Sequence, residues 1–319
     1  FYENTSLKEI AFPENLSALD AAAFEGCTGL SIVTVADGNA DFYSLDNVLY
    51  HTQTSDGVRS DTIVLYPSSK TGELVLPEYV TEIPASAFED ASLTGIVLPE
   101  GVTEIGFYAF AGSKIQSIHI PSTVTYIGTY AFSGCSDLTS VTFAENSKLE
   151  KFATTTSTSD VSRTFQQTGL TSIELPASLK ELSGYLFYQC TALKTVTFAE
   201  GSKLSRIGKL AFKNCSALET VVLDDSIPLE TINEEAFGDS GLQSIYIPKT
   251  VTLIETKAFN ACKSLSDVTF SADGTDELEF ENGKYSSSKY YGVFSGCSAL
   301  TSITLPYRLE TVSQYAFSE

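Results

Sequence analysis

Apolar residues recur along this chain in a fixed order. Residues 109–127, AFAGSKIQSIHIPSTVTYI, show the unit: Ala-Phe, a small residue three places on, an apolar residue, two more apolar residues separated by one polar residue, then Pro and an apolar pair three apart. In Leu138, Val141 and Phe143, the last two alternate with Ser140 and Thr142, which predicts a strand buried on one face. The same spacing appears at Leu93, Ile96, Leu98; at Leu170, Ile173, Leu175; at Leu193, Val196, Phe198; and at Leu242, Ile245, Ile247. Pro99, Pro121, Pro176, Pro248 and Pro306 follow such strands; lacking an amide donor, Pro ends a ladder and turns the chain. Pairs such as Val102/Ile105, Val124/Ile127, Leu204/Ile207 and Val251/Ile254 are expected to point inward from a short extended or turn-like segment. The Ala-Phe segment is too short for a full helix and predicts a 3₁₀ or single α turn on the convex side.

The marker phenylalanines are Phe24, Phe88, Phe110, Phe132, Phe165, Phe187, Phe212, Phe237, Phe259, Phe294 and Phe317. Their spacing is 22–25 residues, except for gaps of 64, 33 and 35 before Phe88, Phe165 and Phe294. A period in the range of about 20–29 residues is that of a leucine-rich repeat. One such unit cannot bury enough apolar surface to fold by itself, so stacking supplies the core. The expected fold is a repeat solenoid, a right-handed superhelix of roughly eleven rungs spaced about 5 Å apart, each a β-strand plus a short turn or 3₁₀ segment. The organisation expected is one domain over 1–319, truncated at both ends, with insertions near 37–70, 151–164 and 271–292. The chain starts at Phe1 without Met and stops inside a repeat, as a piece of a longer protein would.

The recurring AFxxC-xxL-xxI-x-L-P-xx-V-xx-I pattern resembles the BspA-like leucine-rich repeats of bacterial surface proteins, over nearly the whole chain. Pro often replaces the strand Asn of the common LxxLxLxxN repeat, which fits that subfamily. The resemblance implies a secreted or surface-anchored protein, adhesion to host proteins or other cells, and no catalytic residues.

Composition narrows the partners. Trp and Met are absent while Phe (20) and Tyr (16) are plentiful, so the aromatic positions are patterned. The net charge is −21, which repels phosphate backbones and anionic membranes; nucleic acid is not an expected partner and no direct membrane insertion is expected. No apolar run approaches the ~18 residues of a membrane span.

The six cysteines, Cys27, Cys135, Cys190, Cys215, Cys262 and Cys297, each follow a repeat Phe by three residues, in a slot otherwise filled by Ala91, Ser113, Thr168 or Ser240. The slot calls for a small buried side chain, which a free Cys satisfies. Bridges between Cys190 and Cys215 or between Cys262 and Cys297, on adjacent rungs, are the alternative. With only His51 and His119, no catalytic constellation assembles, and a flat solenoid sheet has no deep cleft to perturb acids; no enzyme activity, cofactor or metal site is expected. Asp273, Asp276, Glu277, Glu279 and Glu281 read as a solvated acidic loop, since their spacing matches no calcium-binding loop.

The strand residues that point outward form a Ser/Thr-rich face, with His119, Glu174, Tyr246 and Asp267 as its distinctive groups. Binding residues also gather on loops held by rigid scaffolds. The first insertion places a hairpin turn at Asp46-Asn47. The second, TTTSTSDVSR, is low in complexity. The third sets Tyr285, Tyr290 and Tyr291 beside the acidic cluster and near Ser and Gly, a paratope-like composition. The expected partner is a host or neighbouring-cell surface protein, engaged through the sheet face and the inserted loops. A passive spacer and a glycan binder using the three tyrosines are the alternatives.

Overall fold

A computed structural model describes the chain except residues 154–160, 282–283, 287–288, 313 and 319; the side chains of 284–286 and 289–290 also lie outside the description. The chain winds into a β-solenoid of about twelve turns with almost no helix.

The predicted strands form two parallel sheets in sequence order. One contains Gly72–Val75, Leu93–Val97, Ser117–Ile120 and Ser140–Phe143; the other contains Ser172–Leu175, Thr195–Phe198, Thr220–Val221, Ser244–Ile247 and Asp267–Phe270. Register is one residue per rung, for example Ile118 beside Val141 and Ile245 beside Val268. This is the register that keeps every apolar residue on the inner face, because a one-residue slip would turn the whole set outward. The strand expected before Pro306 is not formed: residues 301–305 carry no ladder.

The apolar pairs give more than a bend. Their second members lie in two-residue strands, Glu82–Ile83, Glu104–Ile105 and Tyr126–Ile127, then Glu181–Leu182, Arg206–Ile207, Thr231–Ile232, Leu253–Ile254 and Glu279–Phe280, which build their own parallel sheets. Ile105, Ile127, Leu182, Ile207, Ile232 and Ile254 are fully buried between the two kinds of sheet.

The Ala-Phe segments are short turns, as the repeat predicts, and among the described residues one of them, Ala21–Phe24, is a 3₁₀ helix. Elsewhere the amides of the turn alternate, one closing on its own turn and the following one donating to the next rung: Ala109, Ala111 and Ser113 donate to Gly106, Tyr108 and Phe110. Tyr108, Phe110 and Gly112 donate their N–H groups to Thr129, Ala131 and Ser133, at 3.2, 2.8 and 2.8 Å. The same alternation recurs at Tyr185, Phe187 and Gln189. Aiming alternate amides in this way needs a left-handed residue two places before and two after Phe: Tyr108 and Gly112 have φ of 54° and 68°, and Tyr185 and Gln189 both have 60°. Close approach of rungs also selects Gly128, where an added Cβ would lie 2.7 Å from the carbonyl carbon of Gly106.

Inside this turn ladder the phenylalanines stack. From Phe88 to Phe317, each ring lies 4.9–5.6 Å from the next, with interplanar angles of 1–13°. The centroid separation is the rung spacing, so one aromatic side chain per repeat yields a continuous column.

The first insertion is a three-stranded antiparallel meander, Phe42–Leu45, Val48–Ser55 and Val58–Leu65. Asp46 and Asn47, with φ of 51° and 59°, make its two-residue turn. Asp61 ties it to the solenoid. Its buried carboxylate accepts two hydrogen bonds from Arg59 at 2.9 Å, one from Tyr43 at 2.6 Å and one from Thr52 at 2.7 Å, while its N–H donates to Tyr79. Burial acts to raise the Asp61 pKa, but these donors outweigh it and hold the carboxyl below its ordinary range.

Candidate binding surfaces

The outward face of the main sheets carries two rows. Gly95, Ser117 and Ser140 lie side by side in one, and His119 beside Thr142 in the other. In the second sheet Ser244 pairs with Asp267 and Tyr246 with Thr269. His119, Glu174 and Asp267 are exposed and Tyr246 is half-buried, all on this face. The solenoid brings only Tyr246 and Asp267 onto neighbouring strands; His119 lies in the other sheet, and two strands separate Glu174 from Tyr246.

Some of these groups are already held. His119 Nδ1 lies 2.9 Å from Thr142 Oγ1. Tyr246 donates its hydroxyl to Asp225 at 2.9 Å, and Asp225 also accepts from the Ser271 hydroxyl and the Lys249 N–H, both at 2.9 Å. Burial works to raise the Asp225 pKa, and these donors overcome it and keep the carboxyl below its usual value. Val75 and Val97, paired across the first sheet, add an exposed apolar patch.

In the third insertion Tyr285 faces Tyr290 across the antiparallel pair Lys284–Ser286 and Lys289–Tyr291. The side chains of Tyr285 and Tyr290 lie outside the described residues. The Tyr291 ring is half-buried under the Lys257 ammonium, 4.7 Å from its centroid, and its carbonyl accepts from the Thr256 hydroxyl. Residues 154–160, most of the second insertion, lie outside the described residues.

All six thiols are buried and free. Each donates to a backbone carbonyl earlier in the chain: Cys27 to Phe1, Cys135 to Phe110, Cys190 to Phe165, Cys215 to Phe187, Cys262 to Phe237 and Cys297 to Phe259, at 2.8–3.1 Å. The slot therefore takes a small side chain and accommodates a donor, such as Thr168, whose hydroxyl donates to the Phe165 carbonyl of its own turn. Burial pushes the Cys135 and Cys190 thiols up to about 11. No group of three metal-ligating side chains converges among the described residues.

A further surface escaped the sequence reading. On the turn side, Tyr108 stacks on Tyr130 at 4.7 Å and 8°, and Phe107 packs edge-on against both. The Arg163 guanidinium sits over Tyr130, Tyr185 and Tyr188, at 5.8, 4.4 and 5.7 Å. Four of these positions, 108, 130, 163 and 185, are the left-handed residue two before the repeat Phe. Reading the repeat by columns rather than for its apolar positions alone would have found them.

The turn side carries a pocket. A cleft of about 830 Å³ opens between the turn around Phe24 and the turn around Phe88, floored by residues 62–68. The expectation of no deep cleft considered only the sheet; this one arises where the 64-residue gap leaves out a turn.

The chain is similar to several solved structures. A leucine-rich cell surface protein from Faecalibacterium prausnitzii A2-165 is 23% identical, with 83% of this chain and 79% of that one covered and a TM-score of 0.43. A leucine-rich repeat protein from Eubacterium ventriosum ATCC 27560 is 24% identical, over 95% of this chain and 61% of that one, with a TM-score of 0.42. The T. pallidum leucine-rich repeat protein is 21% identical, over 79% and 87%, with a TM-score of 0.40. The comparison with curated proteins gives no match. Residues 1–50, 64–159, 158–281 and 270–319 match the family described as the BspA type leucine-rich repeat region. With its Ala-Phe column, parallel ladders and Cys slot repeating across those spans, this chain belongs to the BspA-type leucine-rich repeat family.

Proposed function

We propose that the chain is a cell-surface protein-binding module, secreted or anchored, which engages a host or neighbouring-cell protein through its outward sheet face with help from the inserted loops. The observation that supports it most is the pre-ordered sheet face. Backbone ladders align the outward rows rung by rung, and Thr142 and Asp225 fix His119 and Tyr246 in place. Groups already immobile lose little freedom on binding, so many modest contacts add up to useful affinity. The family is one of interaction scaffolds typically found at cell surfaces. Among the described residues no helix is long and apolar enough to cross a membrane.

The turn-side column favours a second location for the same activity. Tyr and Arg are the residues that dominate protein interfaces, and Phe107 is 46% exposed. Two variants separate the surfaces: His119→Ser/Glu174→Ser/Tyr246→Ser on the sheet, and Phe107→Ser/Arg163→Gln on the turns. Binding of each to a panel of matrix proteins and surface glycans is compared with the parent chain. Loss of a protein ligand only in the sheet variant supports the main reading, and loss only in the turn variant moves the site. Retention by both directs attention to the third insertion, where binding of a glycan lost in Tyr290→Ser/Tyr291→Ser would establish the stacking platform. Failure of the parent to bind any ligand would favour a spacer.

A further inference from the structure

The cleft between the Phe24 and Phe88 turns is a vacant place in the turn ladder. In each later pair of adjacent turns, alternate carbonyls of one turn accept N–H groups of the turn before it. In the Phe110 turn these acceptors are Phe107, Ala109 and Ala111, filled by Ser86, Phe88 and Asp90 at 2.9, 2.7 and 2.8 Å. The equivalent acceptors in the Phe88 turn are Ala85, Ala87 and Glu89, and no hydrogen bond among the described residues reaches any of them. Ala85 and Glu89 are exposed, Ala87 is half-buried, and all three line the cleft.

The opposite wall shows the same vacancy. The Phe24 turn has no successor to receive its amides. It is also the one described turn that closes on itself as a 3₁₀ helix, and its Ala22 N–H is taken by the Asp20 carboxylate. The space for the missing Phe ring is filled from another direction. Tyr66, arriving from the meander, packs edge-on against Phe88 at 5.0 Å. What is missing is therefore backbone, not core.

The chemistry of the walls selects an occupant. A run of alternate bare carbonyls pairs with the alternate N–H groups of an extended segment lying parallel to residues 85–90, as in strand addition to a sheet edge. Ala21, Ala22, Ala85 and Ala87 leave room for side chains on both walls. The rim carries Glu25, Glu89 and Asp90 and no Lys or Arg. That charge favours a basic segment and opposes a second copy of this chain, which itself carries −21.

We infer that this cleft is a peptide-binding slot that takes an extended, basic segment of another protein and completes the interrupted turn ladder at the Ala85, Ala87 and Glu89 carbonyls. The slot is separate from the sheet face, so failure of either proposal leaves the other intact.

The test uses the 319-residue chain and a fluorescein-labelled peptide of four Lys alternating with three Ala, titrated by fluorescence polarisation at physiological salt. Three comparisons isolate the slot: the same peptide with alternate amides N-methylated, in each of the two registers; the peptide with Glu in place of Lys; and the Ala22→Trp/Ala85→Trp chain. Both alanines are exposed, so the fold is preserved and the slot is blocked. The expected result is saturable binding of the Lys peptide, weakened at least about tenfold by N-methylation in one register, by Glu replacement and by the two tryptophans. Equal binding of the parent and both N-methylated peptides would show bulk attraction to an acidic surface and overturn the inference. Undiminished binding by the tryptophan variant, or no saturable binding at all, would overturn it as well.

Discussion

Replacing one phenylalanine in the middle of the aromatic column tests the idea that stacking of rungs supplies the core. Phe187 is fully buried and lies between Phe165, at 5.6 Å and 9°, and Phe212, at 5.4 Å and 8°. Phe187→Ala removes a buried ring from a close-packed site and leaves a cavity between rungs, a change that costs about 3–5 kcal/mol. Phe317 ends the column; it is 42% exposed and has one stacked neighbour, Phe294, at 5.4 Å. Its replacement by Ala forfeits part of a burial term and one ring contact, about 1–2 kcal/mol. Phe187→Leu keeps most of the apolar volume and loses the ring contacts, and should cost about 1–2 kcal/mol. Urea titrations followed by circular dichroism measure the three costs. Repeat arrays can lose cooperativity, so the slope of each transition is compared along with its midpoint. Hydrogen exchange at Tyr185 and Gln189, whose amides bond to the next rung, reports whether the damage is local. The reasoning is refuted if Phe187→Ala costs no more than Phe317→Ala, or if Phe187→Leu equals the parent, because neither outcome is compatible with a column of tightly packed rings.

Asp61→Asn keeps the shape of the side chain but loses the charge that holds Arg59, and should destabilise the meander by about 1–3 kcal/mol in a urea titration. Because the folded Asp61 pKa is depressed, its contribution is fully present above the ordinary carboxylate value and is lost as pH falls through the lower folded value. The acid limb of the parent's stability profile should therefore be steeper than that of the Asn variant; identical limbs would show that the network does not act through this charge. The raised Cys135 and Cys190 pKa values and the burial of all six thiols predict slow reaction of the native chain with a thiol reagent at pH 8, and six reactive thiols in urea. Rapid native labelling would mean that the slot opens. Removing the guanidinium in Arg163→Gln should cost about 0.5–1 kcal/mol of stability from its contacts over Tyr130, Tyr185 and Tyr188, a loss that Arg163→Lys partly restores.

The legible part of this protein is what repeats. Leu138, Val141 and Phe143 alternate with Ser140 and Thr142, so the strand, its buried face and its outward residues could all be read from spacing. The small slot three after Phe was equally plain, because only side chains that fit beneath the preceding turn occur there. The place of the turn was legible, but its conformation, with left-handed residues on either side of Phe, was not. Ala-Phe with small neighbours suits a helical turn as well as a kinked one, and where a next rung accepts alternate amides the kinked form is the one found. Where that neighbour is absent, at Phe24, the same grammar does close into a 3₁₀ helix.

The candidate sites divide in the same way. His119, Glu174, Tyr246 and Asp267 were placed on one face because alternation dictates facing, but alternation says nothing about partners. Asp225 lies 21 residues before Tyr246, and only the winding of the solenoid sets it under the Tyr246 hydroxyl. Arg163, Tyr130 and Tyr185 lie on separate repeats and meet because each occupies the same position in its turn. The sequence by itself determined the repeat, the buried face and the absence of a membrane-spanning apolar run, since these depend on local order along the chain. Only the tertiary structure decided which amides face which carbonyls across rungs, which side chains stack in columns, and that one omitted turn leaves a cleft edged by bare carbonyls. Those features depend on contacts between residues 20 or more positions apart, and stacking alone sets their distances.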